Sequence, residues 1–196
     1  MALVDVDVVF VDLMKTLMFG GDRLEDWPAD IAPVMAALIE RMAHRYDDPA
    51  SWADFPTLAE ALDGLAPPDQ QAALVDAFAA REVGTVPPEH ARAVRTLAAH
   101  RPVVLVSNIW APPQRFEQAL ADAGLSGVFT ATVWSSVHRC VKPSPRLLQV
   151  ALEAVGVPPE RVLMIGDDHA RDIAPAAALG MQTAWVRSPQ DVPVWV

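Results

Sequence analysis

Four short stretches of the chain carry residue types that do chemistry: Asp12-Leu-Met-Lys-Thr16, Ser107-Asn108, Lys142-Pro143, and Gly166-Asp167-Asp168 with Asp172 four residues on. Brought together, they supply several carboxylates, an ammonium and hydroxyls. Crowded carboxylates repel one another unless a cation sits among them. Oxygen ligands from a few carboxylates plus water suit Mg²⁺, which also binds substrate phosphate. Backbone N–H groups in the 13–16 turn and near Asn108 are placed to receive phosphoryl oxygens, as nests and helix N-termini do. Each stretch alone is a weak signal. In this order, each beside an expected sheet edge, they point to one site that handles an anion next to a cation.

Such a site needs a scaffold that converges the four stretches. Residues 3–11 form an apolar, valine-rich run ending at Asp12, and 103–107, 128–133, 161–165 and 182–186 share its character. Short runs of this kind, separated by helical patterns, predict parallel strands buried on both faces. Residues 112–123 place Phe116, Ala119, Leu120 and Ala123 at helical spacing, with Gly124 as the stop. Residues 144–155 open with Ser144 as N-cap and Pro145 at the first helical position. The last helix is expected to start near Asp172, because Pro175 is tolerated only in a first turn. The alternation predicts a doubly wound, Rossmann-like α/β fold, whose ligand crevice lies at the carboxyl ends of the strands.

Residues 18–98 interrupt that rhythm with helical stripes and no convincing strand. Ile31, Val34, Met35, Leu38 and Met42 form one stripe, Leu58, Ala61, Leu62 and Leu65 a second, and Leu74, Val75 and Phe78 a third. This segment reads as a helical cap inserted into a core made of 1–17 and 99–196. The alternative is a helical layer packed within one domain.

A length of 196 residues, 52% of them hydrophobic, allows a real core, and a formal charge of -10 without a basic stripe argues against nucleic acid. No apolar stretch reaches the length of a membrane helix, and the acid-studded N-terminus does not read as a signal peptide. One cysteine, Cys140, cannot make an internal disulfide, which fits a reducing, cytoplasmic setting. Only Lys15 and Lys142 among the 15 basic residues are lysines.

Taken with these motifs, the chain resembles the haloacid dehalogenase-like hydrolase superfamily, in the branch with a helical cap after the first motif. VVFVDLMKTLM, VVLVSN, VKPSPRLLQVAL and VLMIGDDHARDIAPAAALGM correspond to its four motifs. The resemblance implies that Asp12 is a nucleophile forming an aspartyl-phosphate, that Thr16 holds the loop, and that Ser107 and the amide of Asn108 contact phosphoryl oxygens. It implies that Lys142 offsets negative charge, and that Mg²⁺ is held by Asp12, the backbone carbonyl of Met14 and Asp167. Asp172 supports as a carboxylate that orients the lysine or metal-bound water. The implied substrate is a small phosphorylated metabolite.

One position departs from the pattern. The family's phosphatases carry a second Asp two residues after the nucleophile, as acid and base, and here it is Met14; the usual Gly after it is Lys15. Such assistance is typically worth about 10²–10⁴ in rate. Asp168 and His169 are substitutes to weigh against a plain loop role. Lys15 either binds a further anionic group or points to solvent, and Trp110 lines the cleft or fills the core. Two other readings remain: a catalytically weak relative that binds a phospho-ligand or protein partner, and a dehalogenase-type C–halogen hydrolase, which Asp167 and Asp172 argue against. Phosphonate hydrolysis needs a cap lysine, and 18–98 contains none. A phospho-acceptor receiver domain is disfavoured by the insertion and the C-terminal acidic motif.

Overall fold

Successive residues of the first strand bury into opposite faces of one sheet. A computed structural model describes residues 6–21, 26–189 and 191 of the chain. In it β1 is Val8–Val11, β2 Val103–Ser107, β3 Ala131–Trp134, β4 Val162–Gly166 and β5 Gln182–Trp185. They form a five-stranded parallel sheet in the order β3-β2-β1-β4-β5. Val9, Val11, Val103, Leu105, Leu163 and Ile165 enter one apolar cluster, and Val8, Phe10, Val104, Val106, Val162 and Met164 the other. Burial on both faces is why these strands read as unbroken apolar runs. Residues 3–5 of the first expected strand lie outside the described residues.

Between β1 and β2 lie α1 (Ala32–Asp47), α2 (Leu58–Leu62), α3 (Pro68–Glu82) and α4 (Pro88–Ala98). Prolines in the first turns of α1, α3 and α4 begin these helices where a missing N–H costs nothing. Thr57 and Glu60 close a reciprocal capping box on α2. Helices α1, α2 and α3 pack on one another in turn, whereas α4 packs against β2. Their buried Met35, Leu38, Met42, Leu62 and Phe78 continue the apolar cluster on one sheet face. The chain leaves and rejoins the sheet through a narrow neck, where Phe19 and Thr85 exchange backbone hydrogen bonds of 2.9 Å each way. Gly84 permits that approach, since a Cβ there would stand 2.5 Å from the Phe19 carbonyl oxygen.

After β2 come α5 (Gln114–Asp122), α6 (Ser135–His138), α7 (Pro145–Val155) and α8 (Ala174–Ala178). Helix α7 packs against β3 and β2, burying Leu147, Leu148 and Ala151 on the opposite sheet face from α1–α4. Ser144 does cap it, its side chain accepting from the Arg146 amide. No helix among the described residues is long and apolar enough to cross a membrane.

Two elements differ from expectation. Strand β3 begins at Ala131, not 128: the chain turns at Leu125–Val128, and Val128 and Phe129 pack on the core without pairing. The last helix, expected to start near Asp172, opens irregularly. Asp168 caps a wide π-helical turn, His169–Ile173, by accepting from the amides of Ala170 and Arg171, and α8 follows. That extra width leaves Asp172 buried inside the turn and not at its mouth.

Candidate active site

The carboxyl ends of β1, β2 and β4 meet where the parallel order places a crevice. Asp12 follows β1 directly and is anchored by its amide to the Ile165 carbonyl, 2.9 Å away on the neighbouring strand. Lys142 arrives from the loop before α7 and is buried to 1% exposure. Its ammonium donates to Asp12 Oδ1 (2.7 Å), the Val106 carbonyl (2.9 Å) and Asp172 Oδ1 (2.5 Å). Those three acceptors match its three protons. A buried charge so fully satisfied is held in one place, whereas removing a partner would leave the others uncompensated.

The Asp172 carboxylate is fixed from both sides, because its Oδ2 accepts the Asp168 amide at 3.1 Å. It also rests on Gly166: a Cβ there would stand 2.3 Å from Asp172 Oδ2. Thr16, fully buried, points its hydroxyl at Asp167 Oδ1 across 3.4 Å. Ser107 is fully buried as well, and its hydroxyl has no hydrogen-bond partner among the described residues. Asn108 pins the Lys142 backbone in both directions: its Oδ1 accepts the Lys142 amide and its Nδ2 donates to the Lys142 carbonyl, each at 2.9 Å.

The charges act on one another as crowding requires. Burial pushes the Asp12 carboxyl above its ordinary range; Lys142 opposes the shift, and Asp172 and Asp167 add to it. Burial pulls the Lys142 ammonium down, but Asp12 and Asp172 outweigh it and hold the proton on. Asp167 is raised too, by burial and by Asp172, with the Lys15 ammonium working against both.

Asp12, Asp167 and Asp172 each offer a carboxylate oxygen, all within 4.8 Å of one another. One ammonium does not balance three carboxylates. Lys142 and the Asp168 amide occupy both oxygens of Asp172, so Asp12 Oδ2 and the Asp167 carboxylate remain for a cation. With the Met14 carbonyl in the same loop, the donors are all hard oxygens, a set that suits Mg²⁺.

Above this floor is a cavity of about 130 Å³, lined by Asp12, Met14, Lys15, Asn108, Lys142, Asp167, Asp168 and Asp172, and also by Tyr46 and Arg171. The expected site residues Asp12, Met14, Asn108, Lys142, Asp167 and Asp172 therefore share one cleft. Thr16 and Ser107 lie beneath its lining. Lys15 is exposed, holds a left-handed backbone with φ 62°, and also borders a second cavity of about 490 Å³ with Phe19, Trp185 and Arg187. His169 packs edge-on against Trp185, and Trp110 stacks on Phe78, both away from the cleft lining.

Tyr46 and Arg171 escaped the sequence reading. The Arg171 guanidinium lies 3.6 Å from the centre of the Tyr46 ring and donates to the carbonyls of Lys142 (3.1 Å) and Tyr46 (3.2 Å). The Tyr46 hydroxyl accepts from Asn108 Nδ2 at 3.0 Å. A signal was present for each. Tyr46 continues the stripe Met35, Leu38, Met42 by one more helical step, and Arg171 directly precedes Asp172.

The haloacid dehalogenase-like hydrolase family model matches residues 6–180. The chain is 36% identical over 74 residues to phosphoserine phosphatase of Thermus thermophilus, covering 38% of this chain and 30% of that protein. It is 30% identical over 102 residues to the Escherichia coli 5-amino-6-(5-phospho-D-ribitylamino)uracil phosphatase YigB, covering 52% and 40%. These alignments span less than half of either relative. Among solved structures, a 2-haloacid dehalogenase from Pseudomonas syringae superposes with TM-score 0.67 at 24% identity, covering 93% of this chain and 86% of that one. A phosphatase from Thermococcus onnurineus gives 0.62 at 18% identity, covering 92% and 86%. At such identities the superpositions speak for the fold.

Proposed function

Because the chain belongs to the haloacid dehalogenase-like hydrolase family, we propose that Asp12 is the nucleophile of an Mg²⁺-assisted site that hydrolyses, or transfers the phosphoryl group of, a small phosphorylated metabolite. One observation carries this reading above the others: the Lys142 ammonium spans Asp12 and Asp172 with Asp167 in reach, so three carboxylates share a single compensating charge. A halide-releasing site has no use for that surplus of negative oxygen. The phosphatases among the relatives support the substrate class.

The residues divide the work by position. The Asp12 carboxylate supplies the oxygen that attacks phosphorus, with the Lys142 ammonium held against its Oδ1. Lys142 keeps Asp12 oriented and balances the charge that a phosphoryl group brings. The buried, unpartnered Ser107 hydroxyl and the Asn108 amide are donors for phosphoryl oxygens. Asp12, the Met14 carbonyl and Asp167 would hold Mg²⁺, which would supply charge neutralisation for the phosphoryl group. Residues 1–17 and 99–196 serve as the hydrolase core, and 18–98 as the cap that roofs the cleft through α1. The setting that fits a buried, unpaired Cys140 is a reducing, cytoplasmic one.

The deciding assay is hydrolysis of p-nitrophenyl phosphate with and without Mg²⁺. Metal-dependent turnover that Asp12→Asn removes is the expected result. Full activity in Asp12→Asn would sink the site assignment. Absent turnover in the wild type, restored by Met14→Asp, would instead indicate a relative that has kept binding and lost catalysis. Halide release from a 2-haloacid in place of phosphate release would assign the chain to C–halogen chemistry.

A further inference from the structure

An alkoxide leaving group needs a proton, and the carboxyl group that would give it two residues after the nucleophile is replaced by Met14. Neither neighbour of the fourth motif fills the gap. Asp168 is engaged as the cap of the π-helical turn, and His169 packs on Trp185. The cleft contains one other group with a transferable proton on oxygen, Tyr46, the only tyrosine in the chain.

The hydrogen bonds at Tyr46 leave it poised as a donor. Its oxygen accepts from Asn108 Nδ2, and among the described residues no acceptor takes its own proton. That proton is thus available to a ligand in the cleft it borders with Asp12, Met14 and Asp167. Burial lifts the phenol above its ordinary value, opposed by the Asn108 bond and the Arg171 charge, so the group carries its proton at neutral pH. Once the proton has left, two fixed groups receive the phenolate: the Asn108 amide at 3.0 Å and the Arg171 guanidinium, 3.6 Å from the ring centre. Arg171 is itself held by the carbonyls of Lys142 and Tyr46, so this support is built before substrate arrives.

We infer that Tyr46 is the general acid, and then the general base, of the reaction, taking over the role that Met14 cannot perform. The inference rests on the phosphoryl-transfer reading above. In the first half-reaction an Asp12 oxygen lone pair bonds to phosphorus, the P–O bond to the leaving group breaks with its electron pair going to that oxygen, and the Tyr46 proton moves onto it. An alcohol, an aspartyl-phosphate and a Tyr46 phenolate result. In the second, a water oxygen attacks phosphorus, the phenolate takes a proton from that water, and the P–Oδ bond breaks with its pair returning to Asp12. Inorganic phosphate leaves, and both side chains recover their starting states.

The test compares wild type and Tyr46→Phe, as full chains with Mg²⁺, on a leaving-group series from p-nitrophenyl phosphate through phenyl phosphate to an alkyl phosphate. The loss in kcat/KM is expected to be smallest for p-nitrophenyl phosphate and to grow with leaving-group basicity, reaching about 10²-fold or more for the alkyl ester. Adding Met14→Asp to Tyr46→Phe should recover alkyl phosphate hydrolysis, because it returns a carboxyl group to the usual place. An equal loss across the series would make Tyr46 a merely structural residue and overturn the inference, as would no loss with the alkyl ester. If wild type turns over no phosphate ester at all, the phosphoryl-transfer reading fails first and takes this one with it.

Discussion

Asp12, on the site floor, and Glu82, at the end of α3, are both carboxylates held against protein, but their partners differ in kind. Asp12 faces the Lys142 ammonium. Among the described residues Glu82 faces no cation: its two oxygens accept the backbone amides of Trp110 (2.8 Å) and Ala111 (2.7 Å), which joins α3 to the loop after β2. Part of the Glu82 side chain reaches solvent, but protein surrounds its carboxylate, and burial pushes it up to about 7 against those two bonds. The contrast separates two uses of an enclosed negative charge. An ammonium supplies charge that can be shared with an incoming anion, so Asp12 remains useful for chemistry. Amide dipoles are fixed to the loop they belong to, so Glu82 works as a clasp between α3 and the loop after β2.

The sharpest way to break this contrast is to remove the cation. Lys142→Met leaves Asp12 and Asp172 facing each other without compensation, and should cost about 3–5 kcal/mol in a denaturant titration. Added Mg²⁺ should recover part of the loss; an unchanged midpoint would mean the triad is not charged as described. Gly166→Ala comes next. Its Cβ would stand 2.3 Å from Asp172 Oδ2, so the carboxylate must move off Lys142, with an expected loss of about 1–3 kcal/mol in thermal unfolding and a fall in turnover.

Glu82→Gln sharpens the other side of the comparison. The folded carboxyl is raised from 4.5 to about 7, so folding favours its protonated form. That contribution is fully present below about pH 4.5 and is lost as pH rises through 7. Between pH 5 and 8 wild-type stability should therefore fall by on the order of 1–3 kcal/mol more than that of Glu82→Gln, a difference readable from paired urea melts. Parallel profiles would mean the clasp does not titrate. The smallest effect belongs to a second tie of α3, this one to α5, Arg115 donating to both oxygens of Asp76 at the surface. Arg115→Ala should cost about 0.2–1 kcal/mol, and less in high salt.

What was legible in the sequence follows from how local its cause is. Strands β1, β2 and β4 announce themselves because burial on both faces demands unbroken apolar runs, and Asp12, Ser107 and Asp167 then lie at or just past sheet ends by direct chain connection. Tyr46 and Glu82 depend on where α1 and α3 come to rest. Each extends an apolar stripe by one helical step, Met42 to Tyr46 and Phe78 to Glu82, yet a stripe does not say which neighbour its end will meet. The π-helical turn was hidden for another reason. Its width comes from the Asp172 and Ile173 amides both reaching the Asp168 carbonyl, at 2.7 Å and 3.4 Å, a choice that residue type alone does not dictate.

The two lysines have a further consequence. In a chain whose other thirteen basic residues are arginines, both side-chain amines line one cleft, Lys15 exposed at its rim and Lys142 buried at its base. An acylating reagent that discriminates amines from guanidinium groups therefore places its side-chain labels on this protein in that cleft. The rim amine reacts freely, and the inner one stays silent while Asp12 and Asp172 keep its proton in place.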